Sequence, residues 1–195
     1  MTVALYLHIP PPPWPPPHTA EALVTTLVDE AAHYGTSPVA EAPVETLYIG
    51  GGRPSALPLP ALRRLLGACR SSFDTSAVQE VTLEMHPNDA SPTLLDALAS
   101  LGITRLSVGA PSRAAADADT PPAWMRSIRH GRAAGQRLSV DLALAPTRPS
   151  PAAWKARLHR VVDLRVPHVA LHEVPSAATS PQASARTADR LAFAM

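Results

Sequence analysis

Cysteine is almost missing from this chain: among 195 residues there is one, Cys69. A single thiol excludes an internal disulfide and fits a reducing compartment. Lysine is as scarce, with Lys155 alone, so the basic residues are nearly all arginine. Together with abundant Ala and Pro, that is a composition bias rather than a binding surface. A formal net charge of +1 gives no electrostatic reason to expect nucleic acid. No apolar run reaches the roughly 18–20 residues of a membrane span. No basic segment precedes an apolar one at the N-terminus, as a signal peptide requires. The expectation is a cytoplasmic protein. At 46% hydrophobic and 17% charged, the chain can bury a core, and its length suits one domain over 1–195.

Proline is abundant instead, with 23 residues, many crowded between Pro10 and Pro17. That run lacks N–H donors and has fixed φ, so it joins neither a helix nor an inner strand and is expected to be polyproline II. Around it the hydrophobic periodicity alternates. Val3 to Ile9 is a strand; Thr19 caps a helix that runs to Tyr34 and ends at Gly35. Val44 to Ile49 is a second strand. After Pro60, Leu62, Leu65, Leu66 and Cys69 share one helical face. Val78 to Met85 alternates as a strand, and Ser91-Pro92 opens a helix ending at Gly102. Ile103 to Val108 is the fourth strand, residues 111–121 a loop, and 122–134 a helix ending at Gly135. Leu138 to Leu144 is the fifth strand. Ser150-Pro151 opens a helix carrying Trp154, Leu158, Val161 and Val162. His168 to Val174 is the sixth strand, followed by a loop and a short helix over 187–195. Six strand–helix alternations predict an α/β fold with a parallel sheet, either flat and doubly wound or curved into a barrel.

In such folds ligands bind at the C-terminal ends of the strands. Those ends carry His8, the run Gly50-Gly51-Gly52, Glu84 with His86, Gly109, Asp141, and His172 with Glu173. Three glycines let a ligand approach the backbone, or simply form a tight turn. Glu84 is costly inside the fold unless it is paired or at the rim. Asp141 suits either a ligand or a cap for the following loop.

Several stretches carry a resemblance. Tyr6-Leu7-His8-Ile9-Pro10, Thr46-Leu47-Tyr48-Ile49-Gly50-Gly51-Gly52-Arg53-Pro54-Ser55, Thr82-Leu83-Glu84, Arg105-Leu106-Ser107-Val108-Gly109, Ser139-Val140-Asp141-Leu142 and Ala188-Asp189-Arg190-Leu191-Ala192-Phe193-Ala194-Met195 follow one another in order. Together they resemble the radical S-adenosylmethionine (SAM) proteins of the oxygen-independent coproporphyrinogen III oxidase and haem chaperone family. The resemblance implies a partial (β/α)6 TIM-like barrel, and it covers the family's N-terminal core without its C-terminal domain. It implies that Gly50, Gly51, Gly52, Glu84 and Asp141 face SAM. The family's three cysteines, which hold a [4Fe-4S] cluster, align with Pro12, Pro16 and Thr19, and the Pro-rich segment 10–19 replaces the cluster loop. Proline offers no donor atom, and such a cluster needs soft thiolates. Arg53 stands where the family has Thr, His86 where it has Asn, and Pro111 where it has Gln. The expectation is a barrel of this type without cluster or radical chemistry, retaining SAM or haem binding, or neither.

Two other readings remain open from the residues. Pro10 to Pro17 is a candidate ligand for a polyproline-binding groove, with a rigid linker or lid as the plainer alternative. His8, Glu84, His86 and His172 are candidate zinc ligands if they converge. For haem, His8, His18, His86 and His172 are the candidate axial ligands.

Overall fold

The computed structural model describes residues 2–10, 18–110, 123–144 and 150–173. The proline run, Pro111 with its loop, and the expected helix over 187–195 lie outside them. Six strands, β1 (Val3–Ile9), β2 (Val44–Gly51), β3 (Glu80–Met85), β4 (Arg105–Ala110), β5 (Arg137–Leu144) and β6 (His168–Glu173), alternate with five helices. The helices are α1 (His18–Tyr34), α2 (Leu59–Ser72), α3 (Pro92–Ser100), α4 (Ala123–Ala133) and α5 (Pro151–Asp163). The strands form one sheet in the order β1-β2-β3-β4-β5-β6, every pair parallel. Each strand pairs with its chain neighbour, so the sheet curls in one direction as a half-barrel. This is the (β/α)6 TIM-like barrel, not the doubly wound sheet, whose strand order would reverse.

Alternation along the strands sorts two faces. Leu7, Ile9, Leu47, Ile49, Leu83, Met85, Leu106, Val108, Leu138, Val140 and Leu142 are buried in the main core. They share it with Val24, Leu62, Leu65, Leu66, Cys69, Leu98, Ile128, Trp154 and Val161 from the helices. The predicted face of α2 is therefore right in all four positions. Removing one such leucine side chain costs about 2–5 kcal/mol. In α5, by contrast, Val162 is 72% exposed: it lies one step round from buried Val161.

Several boundaries differ from expectation, each for a local reason. Helix α1 begins at His18, so Thr19 lies within it and is not the cap. Gly35 has no positive φ, and its role is clearance: a Cβ there would stand 2.8 Å from both Ser72 Cβ and Ser72 O. Strand β4 starts two residues late because Ile103 N–H donates to Leu98 O at 3.1 Å, closing the end of α3 around Gly102 at φ 88°. Gly135 at φ 77° closes α4 in the same manner, with Gln136 N–H on Gly131 O. Ser91 and Ser150 cap α3 and α5 as their sequences predict, accepting from Leu94 N and Ala153 N. Among the described residues no helix is long and apolar enough to cross a membrane.

Candidate functional site

The second face of the sheet is concave and polar. Period-two alternation and strand register bring Tyr6, His8, Tyr48, Gly50, Thr82, Glu84, Ser107, Gly109, Ser139 and Asp141 onto it. Its middle is buried, with Thr82, Ser107 and Ser139 at 2% exposure or less, so their hydroxyls need partners. They have them. Ser107 Oγ donates to Asp141 Oδ2 at 2.7 Å and lies 2.8 Å from Ser139 Oγ. Since the Ser107 proton is used on Asp141, Ser139 is the donor between the two serines.

Glu84 is the centre of the other half. Tyr48 Oη donates to its Oε1 and Gly51 N–H to its Oε2, both at 2.9 Å. Tyr6 stacks on Tyr48 with centroids 5.2 Å apart, and His8 follows Tyr6 at 6.3 Å. Burial first, then the Glu84 charge, hold the Tyr48 phenol well above its ordinary value, with a smaller push from Asp141. Tyr48 thus lies in the field of both carboxylates. The same two causes, burial and Glu84, raise Tyr6.

The glycine run shows why those positions are glycine. A Cβ on Gly50 would sit 2.5 Å from Tyr48 Cε1 and 2.6 Å from Glu84 Oε1. Gly51 has φ 110°, and its Cβ would strike the carbonyl oxygen of Ile9. Gly52 N–H turns back to Ile9 O at 2.6 Å. Two of the expected backbone donors are thus spent inside the protein, on Glu84 and on Ile9. Arg53 does not crowd the face: its guanidinium forks onto Asp89, with Nε 3.0 Å from Oδ2 and Nη2 paired with Oδ1. Ser55 Oγ donates to the same Asp89 Oδ2 at 2.6 Å and accepts from His86 N–H at 2.9 Å. Burial alone would raise the Asp89 carboxyl, but these hydrogen bonds outweigh it and hold it below the ordinary range.

At the N-terminal end of the same face, Arg105 reaches across the curl. Its Nη1 donates to Glu80 Oε1 at 2.9 Å and its Nη2 to His168 Nδ1 at 3.1 Å. Arginine only donates, so His168 Nδ1 is the acceptor in that contact.

The proposed zinc set does not assemble. Among the described residues no three His, Cys, Asp or Glu side chains are placed to share a metal. His86 lies past the end of β3, exposed, with its Nδ1 accepting from Asn88 N–H. His172 is 4.0 Å from Asp141 and points largely to solvent, and His8 stacks on Tyr6. Nor does the site supply thiolates. Cys69, the single cysteine, is buried in α2 on the helical side of the sheet, and burial pushes its thiol up to about 11. Sequence reading found the strand-end residues but passed over Tyr48, Ser107 and Ser139. The signal was present, since each stands two residues before a strand-end position already singled out.

The parallel, curled half-barrel has a solved counterpart. A solved coproporphyrinogen III oxidase from Escherichia coli, described as a radical SAM enzyme, superposes with a TM-score of 0.73, at 23% identity, over 95% of this chain and 46% of that one. The sequences agree. A heme chaperone, HemW, from Lactococcus lactis is 27% identical over 161 residues, covering 79% of this chain and 41% of the relative. The Escherichia coli HemW is 35% identical over 69 residues. No family model matches the chain. The chain is thus a relative of the HemW and coproporphyrinogen III oxidase group, similar to its N-terminal region, and it spans less than half the length of these relatives.

Proposed function

We propose that this chain binds SAM on the concave face without cleaving it. The observation that carries the reading is that two carboxylates, Glu84 and Asp141, lie on one polar face, each accepting from a hydroxyl group. Glu84 offers a negative partner to the ligand's ammonium and sulfonium, and Asp141 with its serines accepts from a ribose diol. Radical cleavage needs an iron–sulfur cluster, and the donor set here does not fit one. The family's cluster positions are Pro12, Pro16 and Thr19, and the single thiol is buried elsewhere.

Calorimetric titration tests this. SAM binds more tightly than S-adenosylhomocysteine, which lacks the sulfonium charge. Glu84→Gln loses the charge and keeps an acceptor oxygen for only one of the two donors, Gly51 N–H or Tyr48 Oη, and weakens SAM binding about tenfold. After anaerobic treatment with iron and sulfide the protein stays colourless and SAM is recovered intact. A stoichiometric cluster, or cleaved SAM, defeats the proposal.

A groove beside β1 supports a second reading, haem binding. It measures about 530 Å³, and its lining includes Leu5, Leu27, Tyr34, Val39 and Phe73, with Tyr6 and His8 at one side. An apolar slot with one imidazole suits a flat tetrapyrrole with an axial ligand. Haem titration with and without His8→Ala separates the two readings. A Soret shift that His8→Ala abolishes supports the haem reading, and no shift removes it.

A further inference from the structure

Beside the Gly50–Gly52 turn stands a set of side-chain bonds that the SAM reading does not use. The turn that leaves β2 carries Gly51 at φ 110°, a conformation that other residues rarely hold. From there the chain enters the short 3-10 turn Pro54–Ala56, and both Arg53 and Ser55 reach sideways to Asp89. Asp89 lies in the loop after β3, five residues beyond Glu84. The loop also answers back, because His86 N–H donates to Ser55 Oγ. The two segments are therefore tied twice: on the concave face by Gly51 N–H to Glu84, and behind it by the Arg53–Asp89 fork with Ser55.

We propose that Arg53 and Asp89 are a positioning pair, which holds the Gly50–Gly52 turn in its binding shape before any ligand arrives. The inference rests on the reading of that turn as a wall of the SAM site. Three features support it. A bidentate arginine–carboxylate pair fixes direction as well as distance. The threonine that the resembling family has at this position is too short for such a pair and carries no charge. Asp89, with its charge matched by Arg53, does not compete with Glu84 for a cationic ligand.

The test is amide hydrogen exchange at single-residue level on the full chain, alongside SAM titration, for Arg53→Thr, Arg53→Lys and Asp89→Asn. Arg53→Thr and Asp89→Asn speed exchange at the Gly51 and Gly52 amides by about tenfold or more and leave the amides of β4 and β5 unchanged. Both weaken SAM binding several-fold. Arg53→Lys, which keeps the charge but not the fork, restores part of each effect. The double variant Arg53→Thr/Asp89→Asn is no worse than the more severe single one. Unchanged exchange at Gly51 and Gly52 overturns the proposal. So does an equal rise in β4 and β5, which would mark general destabilisation. If the unaltered protein fails to bind SAM, the reading of the site falls, while the exchange comparison still judges the clamp on its own.

Discussion

Tyr48 is bonded to one carboxylate of the concave face, Glu84, and lies in the field of the other, Asp141. Its hydroxyl donates to Glu84 Oε1 at 2.9 Å. Tyr48→Phe leaves a half-buried carboxylate with a bond missing and costs about 1–2 kcal/mol in urea unfolding. The wild-type phenol is raised by burial and by Glu84, so the folded state favours its protonated form. The stabilisation is complete below the ordinary value of 10 and is lost as pH rises beyond it. Alkaline unfolding of wild type therefore begins at lower pH than that of Tyr48→Phe, relative to each protein's stability at pH 8. Glu84 and Asp141 were legible in the sequence because each lies in the C-terminal half of a strand, within a motif of the resembling family. Strand period marks the hydroxyls that share their face, but which of them bonds to which carboxylate was not legible, because the partners are 32 to 36 residues apart and depend on register.

Elements are joined here by small clearances and by charge. Gly35 lets the end of α1 rest against Ser72 at the end of α2. Its backbone suits alanine, so the effect of Gly35→Ala is steric: the helix ends must part, at a cost of about 1–3 kcal/mol, visible as a lower Tm. Sequence alone reads this glycine as a helix stop, since no local pattern announces contact with a residue 37 positions on. Acid weakens the cross-element ion pairs. Asp89, facing Arg53, Ser55 and His86, and Glu80, facing Arg105, Thr82 and Arg137, both lie below their ordinary values because their hydrogen bonds outweigh burial. Their contribution is full above the ordinary carboxylate values and disappears as pH falls through the lower folded ones. Between pH 7 and pH 3, Asp89→Asn and Glu80→Gln lose less stability than wild type in denaturant titrations. An equal loss in all three contradicts the assignment.

On the scale of the whole molecule, Cys69 is a built-in reporter. It is fully buried, and its thiol is pushed up to about 11 by that burial. A thiol reagent at pH 8 therefore labels it only through opening of the core, at a rate that follows global unfolding. Fast labelling in native buffer contradicts the packing of α2. The architecture was readable because each strand–helix unit carries its own periodicity. Whether the sheet curls or lies flat was not, since strand order is a property of pairing and came first from the family likeness.

That strand order has a consequence for how the chain acquires its shape. Each strand hydrogen-bonds to the one made just before it, so no unit waits for a distant partner. A chain emerging from the ribosome therefore meets the partner of each new strand in the βα unit already made, and every closure spans one crossover and no more.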